Sequence, residues 1–181
     1  MRLILRLAVL TVTALAVMFV IYPLMHEAGH LLAAVLTGAE VSDIGLFPVP
    51  FVRLKGQPSQ VQALLTAFGA SLFPMLCIAA PRREYYYVYC ARLTVLTMWF
   101  FAGAESLIRV IMFLAGSDSP FDDAVAVLHY YPGAAAAVTA LLLLQLAGAG
   151  AAIALSGPVR RTEAFFGTQT GQGSAVRYPL S

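Results

Sequence analysis

Four long apolar stretches set the plan of this chain. From Leu7 to about Met25 nearly every position is apolar, and a helical pattern continues through His30 to Thr37 before Gly38 breaks it. A hydrocarbon core ~30 Å thick takes roughly 20 apolar residues of helix to cross, so this stretch predicts a first span. Pro23 is expected to bend the helix rather than end it, because apolar residues continue on both sides. A second span is predicted from about Ser59 to Ala80, closed by Pro81-Arg82-Arg83, and a third from roughly Val88 to Ala115. A fourth runs from Ala134 to about Leu155, where Gly157-Pro158 stops it and Arg160-Arg161 follows. Between the first two spans the pattern changes. Val41–Leu46 and Phe51–Lys55 alternate in part around Pro48 and Pro50, which predicts a short β-hairpin or extended loop. The expected fold is therefore an all-α membrane protein of about four transmembrane helices, with that hairpin or loop after helix 1. Residues 1–161 form one membrane-embedded domain, and residues 162–181, rich in Gly, Thr and Gln, form a flexible tail.

Composition agrees with the pattern. Hydrophobic residues make up 60% of the chain, charged residues 11%, and mean hydropathy is +0.82, too little polar surface for a soluble domain of 181 residues. The net charge of +2 is too small and scattered for nucleic acid binding. Cys77 and Cys90 belong to no C-x-x-C pair, which argues against a disulfide framework or a thiolate metal site. Arg2 and Arg6 before an apolar stretch resemble a signal peptide, but no small-residue cleavage site follows and the stretch runs into Pro23, so it reads as a retained span. Tyr85, Tyr86, Tyr87 and Tyr89 beside Arg82-Arg83 read as a headgroup-level anchor. With four spans, the N-terminus, Arg82-Arg83 and Arg160-Arg161 share one side. The other side carries Glu40, Asp43, Asp118, Asp122 and Asp123 with Arg53 and Lys55, so the positive-inside rule makes both termini cytoplasmic.

Against this background His26-Glu27-Ala28-Gly29-His30 stands out. Residues four apart lie one above the other on a helix, so the two imidazoles can grip one metal ion, and Glu27 beside them can accept a proton from water bound there. Two of the chain's three histidines are spent here, and ionisable groups kept inside a membrane are by default functional. A pair of histidines capping polar groups within a bundle would explain neither the spacing nor the glutamate. Zinc normally takes three protein ligands plus water. Asp118, Asp122, Asp123, Glu105 and His129 are the candidates for the third, although Glu105 and Arg109, at i,i+4, read as a structural ion pair. In the 118–123 turn, Ser119 or Asp122 can cap the helix that follows while another aspartate binds metal. The four-span topology brings that turn to the face where His30 lies.

The chain resembles the site-2 protease family of intramembrane zinc metalloproteases, in its compact bacterial branch. The resemblance rests on His26–His30, on Phe68-Gly69-Ala70-Ser71-Leu72-Phe73-Pro74, and on Ser117–Ala124 after the third span, and covers about Leu7 to Pro132. It implies a bacterial cell-membrane protein that uses Zn2+ held by His26, His30 and a carboxylate at the start of a later helix, with Glu27 as general base. Asp123 falls at the ligand position. The family's Asn-Pro element and its glycine after the aspartate are not matched, since Ala124 follows Asp123, so Asp123, Asp122 and Asp118 stay open in that order. The implied partners are the lipid bilayer and a transmembrane protein substrate, whose locally unwound strand would pair with the hairpin of residues 41–54. The alternative is a catalytically inactive membrane scaffold that keeps the fold or the metal. It has in its favour the small size, the missing substrate-filter domain and the imperfect aspartate turn; a retained Glu27 speaks against it.

Overall fold

The computed structural model describes residues 2–45, 50–78, 85–117 and 122–167, and the chain is mostly helical. Helix α1 (Arg2–Ala16) passes through a π turn (Val17–Ile21) into α2 (Tyr22–Thr37). The π turn is marked by the Tyr22 N–H donating to the Val17 carbonyl, five residues back. It lies just before Pro23, whose ring nitrogen cannot donate into the ladder, and it carries the helix past the proline without a stop. Gly38 ends α2 in the left-handed conformation (φ 70°), and the Ala39 N–H closes back onto the Ala34 carbonyl at 2.9 Å.

Strands β1 (Val41–Gly45) and β2 (Phe51–Leu54) pair antiparallel, with Ile44 opposite Val52 and Gly45 opposite Phe51. The register shifts between Val41 and Asp43, leaving Ser42 over, and its hydroxyl donates to the carbonyls of Arg53 and Leu54. The expected hairpin is therefore present.

The second predicted span is not confirmed as one continuous helix, and its last residues, 79–80, lie outside the described residues. Helix α3 (Gln60–Gly69) and helix α4 (Leu72–Leu76) take its place, about 15 Å and about 7.5 Å long at 1.5 Å per residue. Pro74 cannot donate to the Ala70 carbonyl, and Gly69 is pressed backbone to backbone against Gly29 of α2. A Cβ on Gly69 would stand 2.6 Å from the Gly29 carbonyl oxygen, and one on Gly29 would stand 2.8 Å from Ala70 Cα. The start of α3 is fixed by a capping box, with the Ser59 N–H donating to Gln62 Oε1 and the Gln62 N–H to Ser59 Oγ. Gln62 Nε2 also donates to the Thr37 carbonyl, tying this end to the end of α2.

Helix α5 (Tyr86–Leu114) is followed by α6 (Asp123–Tyr130), a short 3-10 turn (Pro132–Ala134), α7 (Ala135–Leu155) and α8 (Pro158–Gly167). Three stretches are long and apolar enough to cross a membrane: Ile4–Thr37, Tyr86–Leu114 and Pro132–Phe165. The return from the end of α2 to the start of α5 includes the broken pair α3–α4. It meets α2 at Gln62 and Gly69, and α5 at Ser71 and Cys77, where Trp99 Nε1 donates to Ser71 Oγ and Arg92 to the Cys77 carbonyl.

The long helices carry large apolar side chains outward, among them Ile4, Val12, Phe19, Phe101, Ile108 and Leu144. That arrangement suits hydrocarbon and not water. Inside, α6 is wrapped on several sides, and Val125, Val127 and Leu128 join Ala63, Val110, Val138 and Leu142 in one core. A second core joins Val17 and Tyr22 to Val95, Leu96, Trp99 and Ala149. Residues 162–167, expected in the flexible tail, instead continue α8; the tail beyond them lies outside the described residues. Phe165 is held there by a stacked contact with Tyr86 (3.9 Å between ring centres) and by the Arg6 guanidinium 5.2 Å away. Arg161 lies over the Tyr89 ring at 4.5 Å. Tyr89 is thus buried against α7 and α8 rather than set in an anchor belt, while Tyr85 is exposed as an anchor would be.

Candidate metal centre

The spacing of the motif dictates the first part of the site. His26 and His30 come off one face of α2 with their rings 4.6 Å apart, edge to face, and their Nε2 atoms 3.1 Å apart. The first residue of α6 completes the group, Asp123 Oδ2 lying 3.1 Å from His30 Nε2 and 3.5 Å from His26 Nε2. Three electron-pair donors thus converge on one point. Four donors placed tetrahedrally around zinc at roughly 2.0–2.1 Å stand about 3.3–3.4 Å apart, so the spacing of the three fits that ion. Glu27 lies beside them, its carboxylate and the two imidazoles offering donor atoms within 4.8 Å of one another. The Val52 backbone of β2 lies near that carboxylate.

The surroundings orient each donor. His30, almost fully buried, donates from Nδ1 to the Thr66 carbonyl on α3 at 2.7 Å, which leaves a lone pair on Nε2 facing Asp123 and His26. Thr66 is delivered by the same close crossing of α2 and α3 that requires Gly29 and Gly69. Asp123 is aimed by its neighbour. Asp122 Oδ1 accepts from the N–H groups of Ala124 and Val125 at 2.9 and 3.0 Å, and Oδ2 accepts from Ser106 Oγ at 2.8 Å, pinning the first turn of α6 to α5. Although 57% of the Asp123 side chain is open, its carboxyl end turns in between the imidazoles. Loss of water there works against ionisation; when the imidazoles are protonated, their hydrogen bonds and charge outweigh it and hold the carboxyl below the usual carboxylate range.

The structure sorts the remaining candidates. Asp122 spends one oxygen on capping and the other on Ser106, and Glu105 is paired with Arg109 within α5. His129 is exposed at the far end of α6, its ring against Tyr130. Asp118 lies outside the described residues. The sequence did not point to Thr66, whose contribution is a carbonyl, nor to Ser106 or Val52. It did hold a sign of Tyr22, which falls on the histidine face at i−4 from His26, its ring 6.1 Å from that imidazole. Comparison with known proteins finds no matching family model, no matching curated protein and no matching solved structure.

Proposed function

We propose that the chain is a zinc metallopeptidase that cuts a peptide bond in or near a transmembrane helix of another protein. The observation that carries this reading is the convergence of His26, His30 and Asp123 donor atoms at 3.1–3.5 Å, with the Glu27 carboxylate within 4.8 Å of both imidazoles. Zinc held there would act as a Lewis acid and make a nearby water acidic enough to ionise near neutral pH. Glu27 is placed to take that proton and pass it to the departing amine. Thr66 keeps His30 in the tautomer that presents Nε2, and Asp122 with Ser106 keeps Asp123 in line. Strand β2 pairs with β1 on one edge and brings the Val52 backbone near Glu27. An unwound stretch of substrate added to the free edge would run past the carboxylate. The helices Ile4–Thr37, Tyr86–Leu114 and Pro132–Phe165 suit a protein that meets such a substrate within the bilayer.

The test compares two variants on a single-span substrate in liposomes. Glu27→Gln keeps the shape of the side chain and loses the base, so zinc content stays at the wild-type level while cleavage falls by about 10²–10⁴-fold. His26→Ala loses zinc and activity together. A Glu27→Gln protein that cuts at the wild-type rate overturns the mechanism. A zinc-loaded wild type that cuts no single-span substrate supports instead a membrane scaffold that keeps a metal without turning over.

A further inference from the structure

Beside the donor cluster a cavity opens between α2, the end of α3, α5, α6 and α7. It touches His26 and Asp123 and is lined on its polar side by Tyr22, Ser71, Ser106 and Gln145. Gln145 falls at the middle of α7, where an amide is costly in hydrocarbon unless it is held. It is held by Ser71, whose hydroxyl donates to Gln145 Oε1 at 3.3 Å, and by the Trp99 carbonyl, which accepts from Gln145 Nε2 at 3.0 Å. One amide hydrogen of Gln145 and the lone pairs of Ser106 Oγ remain unspent by these bonds. The Tyr22 hydroxyl completes the set. The residue is only 7% exposed, and among the described residues its hydroxyl makes no protein hydrogen bond while keeping some open surface. A phenol so enclosed is normally paired with protein or ordered water.

The cavity measures about 40 Å³. One water needs about 10–15 Å³ of such space and two to four polar partners, so there is room for two or three waters and none for a stretch of peptide. We propose that this cavity is a bound-water site, anchored on the Tyr22 hydroxyl, that supplies the metal centre from within the bilayer. The site itself stands on the cavity and its polar lining; its role as a supply rests on the proposed peptidase activity. Each peptide bond cut consumes one water, whose oxygen joins the carbonyl carbon while its two protons end on the new amine and carboxyl group. A store that touches His26 and Asp123 refills the centre without a path through lipid.

Radiolytic footprinting tests the site without reference to activity, because hydroxyl radicals formed from bound water oxidise the aromatic rings beside it. In zinc-loaded protein in lipid nanodiscs, Tyr22 and Phe68, which line the cavity, are oxidised several-fold faster than Phe19 and Phe101, although the latter two are 69% and 62% exposed on the outer faces of the helices. Equal or slower oxidation of Tyr22 and Phe68 overturns the water site. Ala102→Leu, which fills the cavity from α5, removes the excess labelling while zinc content holds; Ala102→Val serves if the larger side chain prevents folding. Tyr22→Phe lowers labelling at Phe68 by loosening the waters. For the supply role, Ala102→Leu slows cleavage by more than an order of magnitude, and an unchanged rate with the labelling gone overturns that role. If the wild type cuts nothing, the peptidase reading fails while the labelling still decides whether the waters are there.

Discussion

At the scale of single residues, the histidines of α2 differ in what surrounds them. His30 is enclosed and committed through Nδ1 to Thr66, whereas His26 is part open and borders the cavity. Asp122 and Asp123 divide the labour of the α6 start in the same way, one carboxylate on backbone N–H groups and the other on imidazoles. Asp122→Ala should therefore cost about 0.5–2 kcal/mol of stability through the lost cap. It should also weaken zinc binding by up to about 10–100-fold, as removal of an orienting partner typically does. Thermal unfolding in detergent and chelator competition measure the two effects, and a stability loss with unchanged metal affinity would mean that Asp123 needs no support. The i,i+4 histidines and the glutamate were legible in the sequence because helical geometry turns spacing directly into a shared face. Asp123 was not legible from spacing, since its approach depends on how α6 docks; it was named first among three only through a family resemblance. Thr66 was invisible, because any residue offers a carbonyl.

At the scale of elements, the crossing of α2 with α3 decides where the donors sit. Gly29 and Gly69 let the two backbones touch, and that touch places the Thr66 carbonyl within 2.7 Å of His30. Gly69→Ala forces the helices apart and should cost about 1–3 kcal/mol, with loss of zinc in proportion. Thermal unfolding and metal content check it, and wild-type values for both would show that the crossing can yield. The break between α3 and α4 escaped the hydropathy pattern because residues 60–80 are mostly apolar, and apolarity reports burial in lipid or protein without reporting helix continuity. Pro74 and the Gly69 contact carried that information. The helical start of residues 162–167 escaped for a different reason: what holds Phe165 is a ring from α5 and a cation from α1, neither adjacent in sequence.

At the scale of the whole molecule, charge is divided between two ends. Helix α8 gathers the starts of α1 and α5 through Arg6, Tyr86 and Tyr89, and Arg160, Arg161 and Arg92 lie at that end. The donor cluster, Glu40 and Asp43 belong to the opposite end, where α2 finishes and α6 begins. The positive-inside rule predicts that the arginine end faces the cytoplasm. Single cysteines placed at Lys55 and Arg160, in a background lacking Cys77 and Cys90, should label with an impermeant reagent from opposite sides of intact cells, position 55 from outside. Labelling of both from one side would overturn this arrangement of ends, and labelling in reverse would overturn its direction.

The π turn at Val17–Ile21 bears on how this architecture can change over time. A π turn holds one residue more than the α turn it replaces, so the face that α1 shows to its neighbours and the face that carries His26 and His30 are out of phase by about 100°. Loss of any one residue from this stretch would let the helix close up as uninterrupted α and swing one half against the other. Either the histidines would leave Asp123, or α1 would leave α5 and α8. Substitution is thus cheap at the outward-facing Phe19, Val20 and Ile21, though not at Val17 in the second core, while a change in the number of residues is not. What selection guards there is a length, and it can do so with little trace in the identity of the residues.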